Sequence, residues 1–141
     1  MSTGNKGVTK RAWLWLVVAS LVAPAAYALI QGYLALLLVP ALQAFSIHSQ
    51  SGKEATFLLF SVVGAALAAV LLSFLFTLLA KQGSALLGFL LGVATVIALL
   101  ALQSSSVGIS AARAAAEYAV FVLVCAGVSH MVGRKHVHAS A

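Results

Sequence analysis

The chain contains no aspartate, only two glutamates, one cysteine and two prolines in 141 residues. Each scarcity excludes a class of chemistry. With Glu54 and Glu117 as its only carboxylate side chains, it has no acidic set for divalent-metal catalysis, and no glycine-rich cradle for phosphoryl transfer. A His-Glu-x-x-His metalloprotease motif is missing as well, so the sequence predicts a protein that is not an enzyme. A lone cysteine, Cys125, can form neither an intramolecular disulfide nor the thiol pair needed for quinone-linked oxidation. Long polar stretches are lacking too: the longest run to about ten residues each, at the two ends, too short to fold around a core of their own.

What the chain does have is apolar surface. Apolar residues make up 63% and charged residues 7% of it, and the mean hydropathy is +1.13, more than a water-soluble domain of this size could bury. Lipid must therefore be the solvent. The apolar runs are continuous rather than alternating, and a lipid-facing backbone must bond to itself, so the expected fold is an all-α integral membrane protein with four transmembrane helices. The spans are read at about residues 12–31, 56–80, 84–102 and 111–132, each near the ~20 residues that cross ~30 Å of hydrocarbon. Polar, Ser/Gly-rich stretches at 48–55, 80–84 and 103–110 separate the later ones.

The first apolar run is too long for one crossing. Trp13 and Trp15, after Lys10 and Arg11, mark an interfacial entry, and Gln31, Gly32 and Tyr33 mark the exit. Leu34, Leu37, Leu38, Leu42 and Phe45 then recur at helical spacing around Pro40. Residues 33–47 are read as an amphipathic interfacial or protruding helical extension, with a re-entrant segment as the alternative. Pro24 is expected to kink or soften the first span.

Four spans place Lys6, Lys10, Arg11, Lys81, Arg134 and Lys135 on one side and Lys53 and Arg113 on the other. The positive-inside rule makes the first side cytoplasmic, with tails 1–11 and 133–141 both inside. A fifth crossing at 33–47 would weaken that bias. Cleavage after the Ala26-Tyr27-Ala28 pattern, as for a signal peptide, could leave the basic C-terminus outside, so an uncleaved first helix is expected. The net charge of +6 sits at the ends of apolar runs, which points to lipid headgroups and not to nucleic acid. Alanine-rich spans and short loops point to a bacterial inner membrane.

Arg113 and Glu117 are neighbours on a helix, four residues apart near the outer boundary. One reading is an interface-anchored ion pair with Arg113 snorkelling outward. The other makes Glu117 a proton- or cation-binding carboxylate facing a cavity, because ionisable groups inside membranes often mark transport routes.

Packing signals are more numerous. Ser61, Ala65, Ala69, Ser73 and Thr77 form a row of small residues on the second span, and Ser84, Gly88 and Gly92 a second row on the third. The short turn around Lys81 predicts a tight antiparallel hairpin, with Gly88 and Gly92 facing the second span or another copy of the protein. Ala111, Ala115 and Ala119 form a similar row on the fourth. His136 and His138 are weak metal candidates in a basic tail, His130 and His48 weaker still, and no cofactor is expected. Packing signals outnumber chemical groups, so the first functional expectation is an accessory or structural subunit binding other membrane helices. A homo-oligomeric transporter or channel using Glu117, or a holin- or immunity-type protein, is the alternative.

Overall fold

The computed structural model describes residues 7–45, 49–103 and 111–139, with positions 103, 111 and 136–139 as backbone only. Four helices account for nearly all of them: α1 (Lys10–Ala44), α2 (Gln50–Ala80), α3 (Ala85–Gln103) and α4 (Ala111–Ala139). All four are long and apolar enough to cross a membrane, and no strand occurs among the described residues.

Side-chain caps define several helix starts, where the first amides have no partner within the helix. Thr9 Oγ1 accepts from the Ala12 amide at 3.2 Å, Ser49 Oγ from Gly52 at 3.1 Å and Ser84 Oγ from Leu87 at 3.2 Å. Ser84 is therefore a capping residue at the start of α3. The reversal between α2 and α3 begins at Lys81, which takes the left-handed conformation at φ 52°.

α1 is a single helix of 35 residues that runs through Pro24 and Pro40. Residues 33–44 thus continue the same helix, as the expected helical extension of the first span, and form no re-entrant loop. The reason lies at Gln31, read from sequence as a membrane exit. Its amide bonds inward, to α2 and α4, so the polar residue marks an internal contact and the helix has no cause to end there.

The helices form a ring in the order α1, α2, α4, α3, with α1 against α3 closing it. α4 lies between α2 and α3. The expected α2–α3 hairpin interface is therefore confined to the neighbourhood of the turn, and both small-residue rows pack on α4 instead. A Cβ added at Gly88 would collide with the Cys125 carbonyl and reach within 2.7 Å of Ser129 Cβ, and one at Gly92 would reach within 3.0 Å of Val122 Cα. On α2, Ser61, Ala65, Ala69, Ser73 and Thr77 are all buried. Ser61 bonds Glu117, and Cys125 Sγ lies 3.9 Å from the Ala69 carbonyl. Each of these pairs is separated by 56 residues, the constant offset of two parallel helices in register.

The Lys10, Lys81 and Arg134 termini share one end of the bundle. There Thr9 donates from both its amide and its hydroxyl to Gln82 Oε1 at 3.1 Å, and the Gly83 and Gly133 backbones meet. An apolar cluster of Ala12, Leu16, Phe76, Ala80, Leu87 and Leu91 fills this basic end. A second cluster, around Tyr27, Ala65, Ala69, Leu99 and Phe121, fills the middle and borders the polar site.

Candidate carboxylate site

Tyr27 lies 17 residues beyond Lys10 on α1, and Glu117 lies 17 residues before Arg134 on α4. At 1.5 Å per residue both are ~26 Å along the bundle from its basic end, so they meet at one level, within the last few ångströms of a ~30 Å hydrocarbon layer. Ser61 on α2 reaches the same level.

There Glu117 is buried, with 9% of its surface exposed. A carboxylate in so dry a place is costly unless its oxygens receive hydrogen bonds, and three side chains from two other helices supply them. The Tyr27 hydroxyl donates to Oε1, the Ser61 hydroxyl donates to Oε2, and Gln31 Nε2 donates to Oε1 at 3.0 Å. The same Gln31 amide lies 3.1 Å from the Tyr27 oxygen and 3.0 Å from the Ser61 carbonyl, so it ties the donors to one another. Tyr27 is held from its other side by Phe121, edge to face, with centroids 5.2 Å apart and planes at 88°.

Gly64, one turn along α2 from Ser61, makes room for this arrangement. A Cβ there would sit 2.6 Å from both Gln31 Oε1 and Leu34 Cδ1.

A cavity of about 330 Å³ opens beside the carboxylate, bordered by Tyr27, Gln31, Ser61, Phe57, Arg113 and Glu117. The cavity brings both members of the sequence-predicted Arg113 and Glu117 pair to one site. The Arg113 guanidinium carbon lies 5.9 Å from the Phe57 ring centroid, at the outer limit of cation–π contact. Chemically, the arrangement offers an acid that can take up a proton or hold a cation, lining hydroxyl and amide groups, and the Arg113 guanidinium at the cavity's border.

The other acid plays a different part. Glu54 is exposed and accepts from Gln50 Nε2 at 3.2 Å, one turn away on the same helix. Ser73, Thr77 and Ser129 form a second polar patch nearer the basic end, with Thr77 and Ser129 hydroxyls 3.3 Å apart. The His136 and His138 side chains and His48 lie outside the described residues, while His130 is exposed.

Tyr27, Gln31 and Gly64 were not among the site residues expected from sequence. The signal for the first two was present, since a tyrosine and a glutamine four residues apart inside an apolar run share one helix face. No family model matches this chain, and neither a curated protein nor a solved structure is detectably similar to it.

Proposed function

We propose that this small multi-pass membrane protein is a minimal transporter in which Glu117 binds and releases a proton or a monovalent cation. One observation carries the reading: a buried carboxylate, held by side chains of two other helices, borders a cavity at membrane depth. Ionisable groups so placed are expensive to keep and mark conduction routes more often than scaffolds. The small-residue rows, which first favoured an accessory role, are occupied within the chain, on α4, and so lend little support to binding foreign helices. The basic end, with Lys10, Arg11, Lys81, Arg134 and Lys135, faces the cytoplasm of a bacterial inner membrane in this reading, and Glu117 opens outward.

The test is reconstitution into vesicles loaded with a proton-, sodium- or potassium-sensitive dye, with an imposed gradient of the matching ion. Wild-type protein is expected to carry flux and Glu117→Gln to abolish it while retaining its helical content. Equal flux from the two, or none from wild type in any gradient, would remove the transporter reading.

The accessory-subunit reading keeps one specific support. Tyr33 and Leu36, beyond the site on α1, are 73% and 74% exposed, at a level where a single bilayer crossing has already been completed. Native mass spectrometry of gently extracted protein, with every co-purifying chain identified, separates the two. A stoichiometric foreign partner favours the subunit, a homo-oligomer the transporter.

A further inference from the structure

A second cavity, of about 220 Å³, lies between α1 and α2 at the basic end, on the side of the bundle facing lipid. Trp15, Val18 and Val22 form one wall and Leu72, Leu75 and Leu79 the other, while Ala19 and Ala23 leave its floor open. Its lining carries almost no polar surface. Val18, Val22, Leu75 and Leu79 remain 40%, 57%, 53% and 44% exposed, so the groove is open along its length. From Trp15 to Ala23 it runs ~12 Å along α1, close to the hydrocarbon depth of one leaflet, half of ~30 Å.

The groove does not end in apolar surface. Arg11 stands one turn before Trp15 on the same face of α1, and its Nε donates to the Leu79 carbonyl at 3.2 Å, bridging α1 to the last turn of α2. Lys10 is the next residue, and the Thr9–Gln82 contact brings Lys81 to the same end. Neither glutamate is near: Glu54 stands in the first turns of α2 and Glu117 in the carboxylate site. An apolar slot one leaflet deep, closed at the headgroup level by cations with no competing acid, has the chemistry of one kind of ligand.

We propose that this groove is a binding site for an anionic phospholipid of the leaflet at the basic end. One acyl chain lies between Trp15, Val18 and Val22 and the leucines of α2, and the phosphate is held by Arg11 at the groove's end. Arg11 is suited to the role because its planar guanidinium can bridge to Leu79 through Nε and still present its terminal nitrogens to a phosphate.

The test uses Trp15 as reporter in a Trp13→Phe background, with protein in nanodiscs of dioleoylphosphatidylcholine. Small fractions of phosphatidylglycerol or phosphatidylcholine with brominated acyl chains, which quench tryptophan on contact, are then added. The phosphatidylglycerol is expected to quench at about fivefold lower mole fraction, the ratio that ~1 kcal/mol per headgroup-level cation gives. Arg11→Gln should remove that preference and Arg11→Lys should keep most of it. Ala19→Leu, which fills the floor, should weaken quenching by the anionic lipid with the cations intact, and circular dichroism checks that it folds. Equal quenching by the two lipids in the unaltered groove overturns the proposal, as does a preference that survives Arg11→Gln or quenching unchanged in a folded Ala19→Leu protein.

Discussion

The two ends of the bundle are held together by different means. At the basic end backbone meets backbone: Gly83 lies on Gly133, and Gly88 on the Cys125 carbonyl, with no side chain between them. At the other end α1, α2 and α4 are joined through side chains, with Tyr27, Gln31 and Ser61 converging on Glu117 beside a cavity. Glycine contacts leave one interhelical distance available, whereas hydroxyl, amide and carboxylate groups can exchange partners while the helices adjust. Charge is divided in the same way. The clustered cations stay outside the apolar layer at the tight end, while the other end encloses an acid in a cavity that Arg113 also lines. Close backbone contact and the buried carboxylate thus occupy opposite ends of the same four helices.

That contrast can be broken most severely at the glycines. Gly133→Val or Gly88→Leu drives a side chain into backbone that has no flexible end to give way, and should destabilise the bundle by ~3 kcal/mol or more, or prevent its folding. Unfolding titrations in mixed micelles would measure this, and a near-normal transition would mean that the tight end is looser than described. Tyr27→Phe removes one donor from a buried carboxylate and should cost ~1–3 kcal/mol on the same assay, with any Glu117-dependent flux altered in parallel.

Gly64→Ala sharpens the comparison, because its new methyl would press on the ends of the Gln31 and Leu34 side chains and not on a neighbouring backbone. Its expected cost is ~1 kcal/mol, clearly below that of the tight-end glycines, and a loss as large as theirs would erase the distinction between the ends. Thr77→Val should have the smallest effect, ~0.6 kcal/mol, since it removes only a hydroxyl contact to Ser129 and a bond to its own helix.

The membrane setting and helix number were legible in the sequence because they depend on composition and apolar run length. The buried face of α2 was legible too, as a period-four row of small residues. Which helix each row meets was not. The short turn at Lys81 favours adjacent α2 and α3, yet the ring order is set by the helix that best fills both grooves, and α4 supplies small residues at Cys125 and Ser129 to both. Gln31 illustrates a second limit. A polar residue near the end of an apolar run reads equally as an exit from lipid or as an internal donor, and only the position of an acid 86 residues away distinguishes them. Glu117 stood out in the sequence because it was rare, but its partners are residue types common in any membrane helix.

The unequal lengths of the helices impose a condition on the membrane itself. α1 has 35 residues and α3 has 19, about 52 Å against 28 Å at 1.5 Å per residue. Lipid on the α3 side meets a hydrophobic height close to its own thickness, while lipid on the α1 side meets one far greater. The mismatch is thus greatest beside α1 and least beside α3, and thickening of the bilayer, tilt of the bundle or clustering of tall faces must absorb it. A thicker sterol- or saturated-lipid-rich bilayer relieves α1 and strains α3, and a thinner one does the reverse, which makes the bundle asymmetric in its response to membrane thickness.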